Sequence, residues 1–235
     1  MKQIIIGFCA WVIGLTLAVG GLSQTLPLGG GQRVITPPSI AFGSSGTTNG
    51  GTYTFGTAAT ARVVVTSFSW TVNQTGVTTS GVTIGGVAAT LATRTKVDVG
   101  TPASIGSDIW YASLASGTSG AVTVTFSGPT LQTIAIGTYS IYNPLSGTPT
   151  ATGTSLVVPF NGIGVANTYS GNVTGSSGTL AFNSPFSVAW SQGLACTLRG
   201  GATLGPVAAQ TVSVNYTTAG CSTESIRLLV AAAWN

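Results

Sequence analysis

Ten charged side chains, seven basic and three acidic, supply all the acid–base chemistry that this 235-residue sequence could carry out. The acids are Asp98, Asp108 and Glu224, and the sequence contains no histidine. Catalytic arrangements of the Ser-His-Asp and Cys-His kinds therefore lack their base. Three cysteines without a Cys-x-x-Cys pair are too few for the usual zinc, haem or iron–sulfur sites. The sequence predicts a protein that is not an enzyme, holds no metal and needs no cofactor.

Asp98 and Asp108 are the two carboxylates that could act together. They flank a segment rich in Pro, Gly and Ser, residues 99–107, and could face each other across a hairpin. Two facing carboxylates could hydrolyse a glycosidic bond or, with loop carbonyls, ligate calcium. Arg94 and Lys96 lie close by in the sequence, so ion pairing at a loop is the favoured interpretation.

The cysteines indicate one candidate disulfide. Cys196 and Cys221 lie near the ends of predicted strands with 24 residues between them. A bridge between them would stabilise the fold by about 3 kcal/mol in the chain-entropy model. Two reduced, buried thiols are the alternative, expected if the protein assembles in a cytosol. Cys9 lies in an apolar run and is interpreted as a small hydrophobic residue.

Aromatic side chains could bind a glycan by stacking on sugar rings. The relevant residues are Trp70, Trp110, Tyr111, Trp190 and Trp234. We expect at least three of the four tryptophans to pack in the core. A carbohydrate-binding surface built on the remaining one is the alternative, which makes a surface glycan a candidate partner.

Basic residues give no support to nucleic-acid binding. The seven Lys and Arg side chains are spread along the chain without a run, and the net charge is only +4. Nucleic-acid-binding proteins normally cluster these residues on one face. The sequence therefore predicts no nucleic-acid partner.

The elements that must position these residues are strands. The chain is 43% hydrophobic, enough for a substantial core, and beyond residue 38 its apolar residues recur with a period of two. Gly85-Gly86 predicts a two-residue hairpin turn. The pattern predicts an all-β fold, an antiparallel β-sandwich of the jelly-roll or immunoglobulin-like kind. The predicted strands are residues 61–70, 107–114, 121–126, 131–142, 155–160, 162–169, 186–190, 207–216 and 226–234.

Composition divides the chain into three parts. Residues 1–24 are apolar, residues 25–38 form a Gly/Pro linker, and residues 39–235 are expected to form the sandwich. Two short segments, 81–90 and 201–210, resemble each other, as GVTIGGVAAT and GATLGPVAAQ. They would fit two similar halves near 39–150 and 151–235, although chance similarity in a Gly-, Ser- and Thr-rich chain is the favoured explanation.

The N-terminal part contains a run of 19 uncharged residues, 4–22, preceded by Lys2. As a helix this run would be about 28 Å long, close to the thickness of a bilayer core. It fits a secretory signal with a cleavage site near Ala18-Val19-Gly20, an uncleaved membrane anchor, or an arm buried in an assembly. Retention against protein or membrane is the favoured expectation. The proposed assembly segment comprises Ile4, Ile5, Ile6, Phe8, Trp11, Val12, Ile13, Leu15 and Leu17.

The succession VTIGGVAATLATRTKVDVG and SDIWYASLASGTSGAVTVTFSG, within residues 82–128, carries a family resemblance. It resembles a β-sandwich module of virion proteins of tailed bacteriophages and of prophage-derived or secreted bacterial proteins. The upstream TPPSIAFGSSGTT and the closing LLVAAAWN fit the same pattern, so the resemblance spans roughly residues 36–235. It implies a structural or surface role and brings no catalytic residues with it.

Two functions follow as expectations. The first is a non-enzymatic component of a virion surface, as capsid decoration, spike or tail-associated protein, assembled in many copies with itself and other virion proteins. The second is an exported or membrane-anchored bacterial adhesin that binds carbohydrate, located outside the cell or in its envelope and touching the membrane through residues 4–22.

Overall fold

The computed structural model describes residues 36–99, 103–128, 131–171, 179–194, 197–219 and 226–235. Pro37–Asn235 form one compact unit, and its first strand begins at Ser39. The proposed assembly segment, most of the 25–38 linker, Glu224 and the two cysteines of the candidate disulfide, Cys196 and Cys221, lie outside the described residues. Within the described ranges, no helix has the length and apolar character needed to cross a membrane.

The described chain forms β-strands throughout, which confirms the all-β prediction. The first nine are β1 (Ser39–Gly46), β2 (Thr52–Thr54), β3 (Arg62–Val72), β4 (Thr79–Ile84), β5 (Val87–Ala88), β6 (Thr90–Asp98), β7 (Ser104–Ser113), β8 (Ser119–Phe126) and β9 (Leu131–Tyr142). We call them the first half. The second half consists of β10 (Ala151–Thr152), β11 (Ser155–Val158), β12 (Gly162–Gly171), β13 (Thr179–Phe182), β14 (Ser187–Leu194), β15 (Thr197–Val207), β16 (Gln210–Ser213), β17 (Tyr216–Ala219) and β18 (Ile226–Trp234).

Each half contains one five-stranded antiparallel sheet. The first inner sheet has the order β1-β9-β3-β7-β6, and the second inner sheet has the order β10-β18-β12-β15-β14. A four-stranded outer sheet, β2-β8-β4-β5, completes the first half, and the strand pairs β11-β16 and β13-β17 complete the second. The two inner sheets therefore have the same topology. In each, the strand that comes last in the sequence lies between the first and the second, and the fourth lies between the second and the third.

The strands of each half pair in a nested way. In the first half β1 pairs with β9, β2 with β8, and β3 with β7. In the second half β10 pairs with β18, β11 with β16, and β12 with β15. A long hairpin rolled into two sheets gives this order, which is that of a jelly roll. The β-sandwich prediction is confirmed, and of its two variants the strand order matches the jelly roll.

Four apolar clusters hold the layers together, and the smallest of them, built on Ile105, Tyr169 and Leu228, lies between the two inner sheets. One lies between the first inner and outer sheets and includes Phe68, Trp70 and Ile84. A second joins the two inner sheets, and a third lies between the second inner sheet and its outer strand pairs. Strand β3 contributes side chains of both faces to the first two clusters, which explains why nearly all of Arg62–Val72 is buried.

Sequence patterns missed three long strands of the inner sheets, β1, β6 and β15. Strand β15 contains Gly200, Gly201 and Gly205, which are typical of turns, yet it pairs with both β12 and β14. Strand β6 is half-buried and alternates Thr with Arg94 and Lys96, so its apolar signal is weak. The Gly85-Gly86 hairpin is confirmed: Ile84 pairs with Val87, and both glycines have positive φ, as the predicted turn requires.

The similar segments 81–90 and 201–210 occupy different places in the two halves. Residues 81–90 run from β4 through β5 into β6, whereas 201–210 run from β15 into β16. By strand order, β4 corresponds to β13 and β15 corresponds to β7. The similarity of these two segments therefore does not follow the correspondence between the halves.

Candidate functional site

Asp108 lies at the centre of the most polar cluster in the first half. It is on β7, is fully buried, and directly opposes Arg94 across the β6–β7 pair. Arg94 donates to its Oδ2 from Nε at 2.8 Å, and the indole nitrogens of Trp70 and Trp110 donate to the carboxylate at 3.1 Å each. The Thr79 hydroxyl donates to the same carboxylate. Four donors thus compensate one buried charge, which is the arrangement expected for a structural carboxylate.

Asp98 lies at the other end of the same strand pair. It is exposed and pairs with Lys96 at 3.3 Å between Nζ and Oδ1. It opposes Ser104, whereas Asp108 lies four residues further along β7. Four residues of strand correspond to about 13 Å, and catalytic carboxylate pairs of glycosidases are about 5–9.5 Å apart. Asp98 and Asp108 therefore do not face each other across a hairpin, an arrangement that the sequence allowed, and each forms an ion pair, as the favoured interpretation predicted.

The hydrogen bonds around Asp98 lower the pKa of its carboxyl below its ordinary value of 3.8. The largest cause is the Ser104 hydroxyl, which donates to Oδ1 at 2.5 Å, followed by the backbone N–H of Gly76. A carboxyl whose pKa is lowered by folding stabilises the folded state above its unfolded pKa. That contribution is lost as the pH falls through the folded value, below 3.8.

We expect Asp98→Asn to flatten the dependence of stability on pH below 3.8, because the neutral amide has no proton to gain. The measurement is denaturant unfolding at a series of pH values from about 5 to about 2. Lys96→Gln is the matched control, since Lys96 contributes least to the shift. Parallel stability curves for the wild type and Asp98→Asn would contradict the assignment.

Arg62, like Asp108, is a buried charged side chain that is held by hydrogen bonds within the protein. It is 2% exposed, and its guanidinium donates to six backbone carbonyls. The shortest of these contacts are 2.7 Å from Nε to Leu114, 2.7 Å from Nη2 to Gly117 and 2.8 Å from Nη1 to Thr57. One side chain therefore bonds to both the segment before β3 and the segment after β7.

A polar network joins the two inner sheets. Asn167 on β12 is fully buried and donates from Nδ2 to the hydroxyls of Ser69 at 2.9 Å and Ser107 at 2.7 Å. The Ser67 hydroxyl donates to its Oδ1 at 3.1 Å. Because these partners lie on β3 and β7 of the first half, the network fixes how the second half docks on the first.

The four tryptophans expected to divide between core and surface are all buried. Trp70 and Trp234 are fully buried, and Trp110 and Trp190 are 7% and 6% exposed. Trp190 donates from Nε1 to the Tyr139 hydroxyl at 2.7 Å, and Tyr111 packs edge-on against Trp234. The expectation that at least three of the four pack in the core is therefore confirmed, and these four offer no exposed indole on which a glycan could stack.

A cleft lies where the two halves meet. It has a volume of about 640 Å³ and is lined by residues of both halves. We call it the Arg199 cleft. Its lining comprises Thr47, Thr71, Thr133, Ile134, Tyr169, Gln192, Gly193, Thr197 and Arg199.

Among the described lining residues, Arg199 is the one that carries a charge. Its Nη2 donates to the hydroxyls of Thr71 at 3.2 Å and Thr133 at 2.5 Å. Its Cζ lies 5.3 Å from the centre of the Tyr169 ring, in cation–π contact. Its Nε is buried and has no hydrogen-bond partner. Burial lowers the pKa of this guanidinium, since desolvation disfavours its charge.

Sequence reasoning did not find the Arg199 cleft. Its lining residues come from positions 47 to 199 and share no motif. Among the described residues, no group of three or more Asp, Glu, Cys or His side chains could hold a metal ion.

No protein-family model, curated protein or solved structure matches this chain.

Proposed function

We propose that this protein is a non-enzymatic structural component of a virion surface, present in many copies as a capsid decoration, spike or tail-associated protein. Two jelly rolls joined by their inner sheets support the proposal, because jelly rolls are common in viral capsid and lectin domains. The step from fold to function is an analogy, since one fold serves many functions.

The observation that carries the proposal is that the buried charged side chains form their hydrogen bonds with other groups of the protein. Asp108 and Arg94 hold each other and two indoles in place, and Arg62 clasps backbone carbonyls. A catalytic site would aim such groups at a substrate. Here they stiffen the sandwich, as suits a building block that must keep its shape.

Exposed apolar side chains offer surface for neighbouring subunits. Leu145, Val157 and Phe160 are 68%, 70% and 59% exposed. Val157 and Phe160 are three residues apart at the end of β11, which pairs only with β16 among the described strands. Burial of apolar surface drives most protein association.

Deletion of residues 1–24 tests assembly. Each of the nine large apolar residues of the assembly segment would forgo about 1.5–3 kcal/mol of burial free energy if it were left in water. We therefore propose that another subunit covers them. We expect the shortened chain to be a folded monomer with unchanged β circular dichroism that no longer enters the assembly. Light scattering and electron microscopy of both chains are the measurements.

Deletion of Gly29-Gly30-Gly31 is the control, because it shortens the linker and keeps the apolar segment. We expect that variant to assemble. The proposal fails if the chain without residues 1–24 assembles normally while the full chain is monodisperse without detergent.

The second candidate function is an exported or membrane-anchored adhesin that binds carbohydrate. The Arg199 cleft favours it, because the cleft combines a cation with hydroxyl and amide groups. The N-terminus of the natural protein discriminates between the candidates. A chain that starts at Met1 in purified particles supports the virion component, and one that starts near Gly21 in culture medium supports the adhesin.

A further inference from the structure

Among the described residues, the Arg199 guanidinium has no carboxylate within ion-pair distance. The described ion pairs are Arg94 with Asp108 and Lys96 with Asp98, and neither involves Arg199. Its described hydrogen-bond acceptors are two threonine hydroxyls, which are neutral. Partial burial of the guanidinium disfavours its charge, so a negative group in the cleft would stabilise it.

The Nε of Arg199, which has no acceptor among the described residues, indicates which kind of negative group would fit the cleft. A carboxylate oxygen accepts a short, charge-assisted hydrogen bond from a guanidinium N–H. The buried Nε of Arg199 lacks an acceptor, so a carboxylate would supply what the described protein groups do not. A phosphate group carries nearly two charges and is usually held by several cations, whereas Arg199 is the one cation in the lining. A single carboxylate matches the site better.

The rest of the lining indicates what carries the carboxylate. Four threonines, one tyrosine and one glutamine line the cleft, and Ile134 is the one large aliphatic side chain among the lining residues. An acyl chain would require an apolar lining. Hydroxyl and amide groups can each donate and accept, as the many hydroxyls of a sugar ring require. A volume of about 640 Å³ is within the range of small-molecule sites.

We propose that the Arg199 cleft binds a carboxylate-bearing sugar, such as a uronic or sialic acid unit of a surface glycan. Arg199 holds the carboxylate, and Gln192 and the threonines bind the ring hydroxyls. Both halves line the cleft, so the site forms only when the inner sheets are docked. The inference goes beyond the structural role and does not depend on assembly.

The test is a titration of the full-length protein with four probes. Sodium glucuronate and N-acetylneuraminate carry ring and carboxylate, glucose lacks the carboxylate, and acetate lacks the ring. Binding is followed by the ¹H–¹⁵N NMR signal of the Arg199 Nε–H group, which reports directly on the orphaned donor. We expect at least one acidic sugar to shift this signal saturably, and glucose and acetate to bind at least about tenfold more weakly.

Three variants complete the test. Arg199→Gln removes the charge, and Arg199→Lys keeps the charge without the planar guanidinium and its several N–H donors. We expect each variant to bind the acidic sugar at least about tenfold more weakly, as measured by calorimetry. The Lys variant keeps the test open if the Gln variant does not fold. Lys96→Gln makes the same change of charge at a half-exposed position outside the cleft and should bind like the wild type.

Several outcomes would overturn the inference. They are no binding of either acidic sugar, equal binding of glucose, equal binding of acetate, or undiminished binding by both folded Arg199 variants. The oligomeric state measured for the deletion of residues 1–24 tests the structural role separately, so the failure of one proposal is distinguishable from the failure of the other.

Discussion

Asp108→Ala is expected to lower the free energy of unfolding by about 3–5 kcal/mol, the range observed when one partner of a buried ion pair is removed. The substitution leaves Arg94 without its carboxylate and the Trp70 and Trp110 indole nitrogens without an acceptor. Each buried donor that loses its partner adds a desolvation penalty of about 1–3 kcal/mol. Denaturant unfolding followed by tryptophan fluorescence measures the change.

Asp108→Asn serves as the graded comparison, because the amide keeps the shape and one acceptor oxygen while losing the charge. It should fall between Asp108→Ala and the wild type. Asp98→Asn, at the exposed end of the same strand pair, should cost far less near neutral pH. A loss of under about 1 kcal/mol for Asp108→Ala would show that the cluster does not hold the first half together.

Gly201→Ala is expected to cost about 3 kcal/mol or more, at the upper end of the range for overpacked cores. A methyl group there would overlap both the Tyr139 hydroxyl and the Trp190 indole nitrogen. These two groups are buried and bonded to each other at 2.7 Å, so neither can move aside cheaply. The added atom would force the inner sheets apart at the point where the halves dock.

Gly205→Ala provides the matched control for this substitution. It lies on the same strand, β15, and a methyl group there would meet no atom within 4 Å. We expect a change within about 0.5 kcal/mol, as for other surface substitutions. Equal losses in the two variants would show that contact with Tyr139 and Trp190 is not what makes glycine necessary at position 201.

Strands with a strong alternating pattern could be predicted from the sequence. The predicted segments 131–142 and 226–234 agree with β9 and β18 residue for residue. Both are flanked by turn residues and rich in Ile, Val and Ala. Strand β15 could not be predicted, because its glycines are typical of turns and the reason for Gly201 lies far away in the sequence. The groups packed on its backbone, Trp190 and Tyr139, are 11 and 62 residues away from it.

The candidate site could be predicted only in part. Proximity in sequence correctly indicated that Arg94 and Lys96 form ion pairs with the aspartates. The strand of Asp108 was predicted to begin at residue 107 but begins at Ser104, which places this aspartate inside β7 and not at a loop. The Arg199 cleft depends on how two separate sheets dock, and no local pattern encodes that arrangement.

The nested strand pairing has a consequence for the order of synthesis. Strand β18 inserts between β10 and β12, so the second inner sheet stays split until residues 226–234 have left the ribosome. The first half meets the same delay at β9, which separates β1 from β3. Folds dominated by such distant pairings form slowly, in about milliseconds to seconds. During that interval the unpaired edges of β10 and β12 are open to other chains. A nascent chain interrupted before residue 226 would therefore be a substrate for chaperones and a seed for aggregation, whereas its completed first half could already have closed.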